Sequence, residues 1–253
     1  MLVTIAKYSL LEAVRDKFFI FIIAGLLVIV GLSLFASELA ITESVQMKVA
    51  FLGSGFRLFT IFTISLFVIT SMVRELNDKG FELILSHPVP RWAYYVGKLA
   101  GFVIISMVVV LLITFCLLLY VPVQSLVFWS LSLLCETSII IALSLLTLYS
   151  FNSITISFSV VAGFYLLSRT SEALLLISSS PILTTTSVSH KFITWLIELI
   201  SYLLPGLYKF TQTEWLIYSP PSFNEFGIVF GQTIIYVVFL SGIALYDLYR
   251  KEL

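Results

Sequence analysis

Long runs of apolar residues, separated by short polar stretches, dominate the chain. The clearest runs contain no Asp, Glu, Lys or Arg over 20 residues (18–37) and over 21 residues (226–246). A helix of about 20 apolar residues spans the roughly 30 Å of hydrocarbon in a bilayer. We therefore predict an all-α polytopic membrane protein. Its six transmembrane helices are expected at residues 18–37, 57–73, 99–121, 126–149, 154–176 and 226–246.

The breaks between these spans come from length and from turn residues. Residues 99–135 form a charge-free run of 37 residues, which is too long for one span and is interrupted at Pro122. Residues 38–57 are mixed and contain the sequence Gly-Ser-Gly, which predicts a loop with at most a short helix. Residues 178–225 are mixed and contain several prolines, so we expect an outer region with a re-entrant or interfacial helix.

The first 17 residues have a different pattern from the spans. Apolar residues recur at helical spacing, while Lys7, Glu12, Arg15 and Asp16 are polar. This pattern is typical of an amphipathic helix that lies in the membrane interface. We therefore predict an interfacial helix over residues 1–17.

Composition agrees with a membrane protein and restricts the function. The chain is 60% hydrophobic and 11% charged, whereas soluble domains carry about 25% charged residues. Its formal net charge is +0, which argues against nucleic acid as a partner. Two isolated histidines and two cysteines inside apolar runs form no metal-binding pattern. We predict no catalytic residue and no metal site in this chain.

The distribution of Lys and Arg predicts the orientation. With both ends of the chain inside, the inner segments carry nine of these residues and the outer segments carry five. Inner loops of membrane proteins carry the excess of positive charge. We therefore expect both termini, including the polar tail at residues 247–253, on the cytoplasmic side of the cell inner membrane.

A polar island at residues 74–98 separates the second and third predicted spans. It contains four basic and three acidic residues within 25 positions. Residues 75–86 could form about three helical turns, and Pro88 and Pro90 would end that helix. From the residues alone, the island is either an ordinary charged loop or a helix that docks on a partner protein.

The chain resembles permease subunits of the ABC-2 class of ATP-binding-cassette transporters. Residues 11–18 (LEAVRDKF) are similar to the amphipathic helix that precedes the first span in that family, and the island is similar to the loop between its second and third helices. Residues 203–207 lie where many members have an outer hairpin. Matching island positions are Arg74-Glu75, Lys79-Gly80, Leu83, Leu85-Ser86, Pro88-Val89, Arg91 and Gly97-Lys98.

The resemblance implies a coupling helix between helices 2 and 3 that docks in a groove of a separate ATPase subunit. The implied ATPase-coupling residues are Arg74, Glu75, Asp78, Lys79, Gly80, Leu83, Ser86, Pro88 and Arg91. No Gly-x-x-x-x-Gly-Lys-Ser/Thr phosphate-binding loop occurs in the sequence. We therefore expect that the chain is not an enzyme and that ATP and Mg²⁺ bind to the partner.

The resemblance also implies an assembly and a class of function. Two copies of the permease, a homodimer, would associate with two ATPase subunits and act as an exporter. Similar permeases serve nitrous-oxide-reductase maturation, antibiotic resistance, polysaccharide export and haem-protein assembly. The alternative is a membrane scaffold or assembly factor that recruits a partner through the island without transport.

Three ionisable residues lie within the predicted fourth and fifth spans. Glu136 is expected near mid-bilayer, where it either lines a substrate path or dimer seam or is a buried structural group. Arg169 and Glu172 are three residues apart at the outer end of the fifth helix. This spacing predicts an interfacial ion pair between them.

Overall fold

A computed structural model describes residues 2–39, 44–77, 90–179, 194–195, 197–199, 201 and 203–250. These residues are 90% helical and contain no strand. The helices are α1 Leu2–Arg15, α2 Phe18–Leu39, α3 Ser44–Asn77, α4 Arg91–Leu117, α5 Val123–Phe151, α6 Ile154–Ser179, α7 Glu214–Ile217 and α8 Phe223–Arg250, with a 3-10 helix at Leu207–Lys209.

Six helices in the described part of the chain have the length and apolar composition that a bilayer span requires: α2, α3, α4, α5, α6 and α8. Their outer surfaces carry many exposed Leu, Ile, Val and Phe side chains, as expected for helices that face lipid. This result confirms the predicted all-α polytopic fold.

Short turns join α4 to α5 and α5 to α6. Asn152 ends α5 with a left-handed backbone (φ 52°), and its N–H donates to Leu148 O. Asn tolerates this conformation better than most residues. Pro122 precedes α5 and ends the turn after α4. We call the end of the bundle that carries α1 and the last turn of α8 the terminal end. The opposite end, where residues 205–217 enter the bundle, is called the plug end.

The centre of the bundle is α5. In its most apolar stretch 78% of the residues are buried, compared with 22% in α2 and in α8. It packs against α3, α4, α6 and α8. Trp129, Leu133 and Ile139 are among the side chains that it places in the core. An amphipathic pattern is weak in α5 because partners surround it on nearly all sides.

Three predicted loops are partly helical. Residues 44–56 belong to α3, and Gly53 and Gly55 mark helix packing instead of a turn. A Cβ atom on Gly53 would lie 2.8 Å from Leu216 Cδ1. At the terminal end, residues 91–98 form the first turns of α4, and residues 247–250 continue α8.

Helix α1 packs lengthwise on α4. Gly97 and Gly101 allow this close approach, since a Cβ atom on Gly101 would lie 3.0 Å from Ser9 Cβ and 3.1 Å from Ala6 Cα. Small residues four apart commonly bring helix backbones together in membranes. Ala13 and Ser9 of α1 are fully buried, and Ala6 is nearly so. Of these, Ala6 and Ser9 lie against α4.

We expect a Gly101→Leu substitution to destabilise the protein by about 1–3 kcal/mol, because the added side chain has no room against α1. Gly163→Leu is the matched control, since nothing lies within 4 Å of a Cβ atom at that position. Thermal unfolding in detergent measures both. Equal unfolding temperatures for the two variants would contradict the close α1–α4 contact.

Candidate functional site

A buried ion pair joins α3 to α4 at the terminal end. Lys98 Nζ contacts Glu75 Oε2, and the Lys98 side chain is only 6% exposed. The Tyr94 hydroxyl donates a hydrogen bond to Glu75 Oε1 at 2.9 Å. Tyr94 and Lys98 lie four residues apart on one face of α4, so a single carboxylate at the end of α3 contacts both. Residues 78–89 connect the two helices beyond this pair.

A second set of contacts joins α1 to α3. Arg74 pairs with Asp16, and its Nη2 lies 3.7 Å from Glu12 Oε1. Ser71 donates a hydrogen bond to Glu12 Oε1 at 2.8 Å. The Arg74 side chain is 49% exposed, so its ion pairs contribute little to stability. The main effect of these ion pairs is to determine which residues at the end of α1 contact α3.

Arg91 joins α4 to the end of α8. Its Nη1 donates to Leu248 O at 2.9 Å and to Tyr249 O at 3.1 Å. The last carbonyl groups of a helix lack partners within the helix, and a basic side chain there also interacts favourably with the helix dipole. Tyr95 adds a hydrogen bond to Ser241 Oγ at 3.0 Å. We call this whole set of contacts, made by Glu12, Asp16, Ser71, Arg74, Glu75, Arg91, Tyr94, Tyr95 and Lys98, the terminal frame.

The terminal frame contains three of the predicted coupling residues, Arg74, Glu75 and Arg91. The other six, Asp78, Lys79, Gly80, Leu83, Ser86 and Pro88, lie outside the described residues. The sequence did not show that Lys98 is buried or that Tyr94 shares its partner. A signal was present, because the i, i+4 spacing of these two polar groups places them on one face of a helix.

We expect Lys98→Met to destabilise the protein by about 3–5 kcal/mol, because Glu75 would remain buried without its cation. The double variant Glu75→Gln with Lys98→Met should recover much of this loss. Lys7→Met, which removes an exposed lysine of α1, is the control. A double-mutant cycle of unfolding temperatures in detergent measures the coupling, and strictly additive effects would contradict a buried pair.

At the plug end, residues 205–217 enter the bundle; we call this segment the plug. Its 3-10 helix contacts α6, and α7 contacts α3 and α5. Leu207 and Phe210 are fully buried, and Trp215 and Leu216 are nearly so. The predicted outer region therefore contains a segment that packs in the core of the protein.

Polar groups of α3 and α5 hold the plug at Thr211. Arg57 Nη1 donates to Thr211 O at 3.0 Å, and the Thr211 N–H donates to Ser132 Oγ at 2.9 Å. The Thr211 hydroxyl donates to Glu136 Oε2. Thr211 has a φ of 41°, which is unfavourable for a β-branched residue, so these contacts must offset the backbone strain.

Arg169 provides the third attachment, from α6. Its Nη1 donates to Leu207 O at 2.5 Å and to Phe210 O at 2.7 Å, and lies 3.9 Å from Glu136 Oε1. Glu136 is fully buried. We call Arg57, Ser132, Glu136 and Arg169 the plug cluster.

The predicted pair between Arg169 and Glu172 is wrong. Arg169 points into the bundle toward Glu136 and the plug, whereas Glu172 is exposed. The spacing would allow a pair, but the plug carbonyls and Glu136 hold the Arg169 side chain toward the interior of the bundle. Glu136 is a buried and hydrogen-bonded group at a junction of α5, α6 and the plug. That it lines a substrate path or a dimer seam stays a prediction.

Sequence reasoning missed Arg57, Ser132 and Thr211. Arg57 entered the sequence analysis only as the first residue of the predicted second span, residues 57–73. No periodic pattern marks Ser132 or Thr211, because their partners are far apart in the chain. The part of the chain that the structure describes contains no cluster of three or more His, Cys, Asp or Glu side chains.

No model of a known protein family matches this chain, and no curated protein matches it.

We expect Arg169→Met to open the plug, because the plug loses two hydrogen bonds to a charged group, each of which contributes about 1.5–3 kcal/mol. Trypsin cleavage after Lys209, at the exposed residue of the 3-10 helix, should then accelerate at least about ten-fold. Peptide mass spectrometry of the detergent-solubilised protein measures the rate.

Glu172→Gln is the control for this experiment, and it should leave the cleavage rate unchanged. An equal acceleration in both variants would show that a contact between Arg169 and Glu172 holds the plug.

Proposed function

We propose that this chain is the permease subunit of an ABC transporter, an exporter driven by a separate ATPase that docks on residues 74–98. The observation that carries the proposal is the terminal frame. It holds both ends of residues 78–89, which lie within the segment, residues 74–98, where the family resemblance predicts the coupling helix. An ordinary connecting loop does not need such a support.

The buried pair of Glu75 and Lys98 makes the frame a rigid base for that segment. Because the pair is desolvated, separating its charges is costly. A displacement of residues 78–89 would therefore move the end of α3 and the start of α4 together. Rigid helices that shift as units are a common means of conformational coupling.

The other contacts of the frame extend this movement to two more helices. Arg74 joins α3 to α1 through Asp16, and Arg91 joins α4 to the last turn of α8. A partner that moves the segment would act on four helices at once. This is what a transporter requires of a subunit that does not itself hydrolyse ATP.

The proposed assembly follows from the same resemblance. Two copies of this chain form a homodimer in the cell inner membrane and bind two ATPase subunits, which hold ATP and Mg²⁺. The terminal end, with both termini, faces the cytoplasm, in agreement with the excess of Lys and Arg there. The plug end then faces outward. Membrane lipid surrounds α2 and α8, the least buried spans.

A co-purification experiment tests the proposal. The tagged chain, extracted in a mild detergent, should retain a separate polypeptide with ATPase activity. Glu75→Gln and Arg91→Gln should weaken retention or reduce the ATPase rate several-fold, because both disturb the base of the docking segment. Lys209→Gln removes a cation at the opposite end and should change neither quantity.

The second measurement separates transport from scaffolding. Spin labels at Phe35→Cys and Tyr218→Cys, two exposed positions at the plug end, report the distance between α2 and the plug region in a variant without Cys116 and Cys135. ATP should change this distance. Absence of any co-purifying ATPase would refute the proposal, and an ATPase without nucleotide-dependent movement would favour a scaffold.

A further inference from the structure

The plug cluster places three ionisable side chains in the interior of the bundle. Glu136 is 13 residues from the nearer end of α5 and Arg169 is 10 residues from the nearer end of α6, which corresponds to about 20 Å and about 15 Å. Burial of ionised groups at such a depth is costly. A neutral set of hydrogen bonds could hold the plug without this cost, so the charges require another explanation.

The charges of the cluster do not cancel. Arg57 and Arg169 are basic, and Glu136 is the acidic residue between them, which gives a formal excess of one positive charge. Arg57 is 8% exposed, Glu136 is fully buried and the Arg169 side chain is 20% exposed, so solvent screens this excess only in part. An interior with a net positive charge favours an anionic ligand.

Hydrogen bonding in the cluster is incomplete. Of the seven buried side-chain atoms without a hydrogen-bond partner among the described residues, two belong to the plug cluster, Arg57 Nε and Glu136 Oε1. Glu136 Oε1 lies 3.9 Å from Arg169 Nη1, and the Tyr165 side chain also interacts with the Glu136 carboxylate. Buried polar atoms in native proteins almost always have a partner, and exceptions often mark a bound water or ligand. Arg57 Nε belongs to the guanidinium that contacts the plug.

The plug itself supplies the acceptors that such a ligand would provide. Three carbonyl oxygens, those of Leu207, Phe210 and Thr211, lie 2.5–3.0 Å from Arg57 Nη1 and Arg169 Nη1. They are neutral acceptors on two charged donors. An oxyanion would form stronger hydrogen bonds with the same donors, because both partners would then be ionised.

We propose that Arg57 and Arg169 form a binding site for a phosphate group that replaces the plug carbonyls. The planar guanidinium group binds phosphate through two parallel hydrogen bonds. The plug occupies the site in its resting state. The ligand can be free inorganic phosphate or the phosphate of a lipid headgroup, since the chemistry is shared.

Glu136 limits what the site accepts. Its carboxylate lies beside Arg169 and accepts a hydrogen bond from the Thr211 hydroxyl. The negative charge repels an incoming anion, and the hydrogen bond holds the plug. A ligand must therefore offset the loss of the Thr211 contact as well. The inference that the bound oxyanion is the transported substrate rests on the proposed function. The inference that the site binds an oxyanion does not require the ATPase.

Ligand-dependent thermal unfolding of the purified full chain tests the site. The probes are inorganic phosphate, a short-chain phosphatidic acid and a short-chain phosphatidylcholine, each titrated in a neutral detergent at constant ionic strength. At a hundred-fold excess over Kd we expect the unfolding temperature to rise by roughly 5 °C with the anionic probe that binds. Phosphatidylcholine, which is zwitterionic, should give no saturable shift.

Matched variants identify the site. Arg57→Gln and Arg169→Gln should weaken binding at least about ten-fold, because each removes a charge-assisted contact. Glu136→Gln should bind at least about three-fold more tightly, because it removes the opposing carboxylate. Lys48→Gln changes the charge of the plug end by the same amount, but Lys48 contacts the ring of Tyr120, and this variant should bind as the original chain does.

The outcomes decide the inference. A shift with inorganic phosphate identifies a soluble oxyanion as ligand, and a shift with phosphatidic acid alone identifies a lipid headgroup. No saturable shift with either probe overturns the inference, as does an equal loss of binding in Lys48→Gln. If the arginine variants do not fold, unchanged binding in Glu136→Gln overturns it. None of these results depends on the ATPase, whose absence would count only against the proposed function.

Discussion

An ionised side chain inside an apolar helical bundle must find partners within the protein, and this constraint organises both ends of the molecule. At the terminal end, Lys98 and Glu75 satisfy it with each other and with Tyr94. At the plug end, Arg57 and Arg169 satisfy it with backbone carbonyls of a segment that enters the bundle. The first solution joins two long helices directly, whereas the second depends on a short segment that is not itself a span.

The two ends therefore differ in how they respond to force. The terminal frame uses side chains of long helices, so its parts move together. The plug is held mainly by its backbone, with Thr211 in an unfavourable conformation. Local opening costs least where few long elements contribute. A movement received at the terminal end would consequently be accommodated at the plug end, with α5 as the common packing partner.

Much of the fold could be predicted from the sequence, because charge-free runs have a direct physical relation to bilayer thickness. Positions such as Pro122 and Asn152 act locally, so their turns are visible in the sequence. Gly53 and Gly55 were misleading, since glycine permits both turns and close helix packing. Which of these applies depends on Leu216 and Ile29, neither of which is near in sequence.

Prediction of the candidate site was limited for the same reason. Arg74, Glu75 and Arg91 belong to a local cluster of charges that is visible in the sequence. The partners of Glu136 and Arg169 are not, because Thr211 and Leu207 reach them only through tertiary structure.

Helix α3 has a further consequence. Arg57 and Glu75 are 18 residues apart on one unbroken helix, which is about five complete turns and 27 Å. They point in the same direction, so a rotation of α3 about its axis would turn the two residues in phase, and either would report the motion of the other.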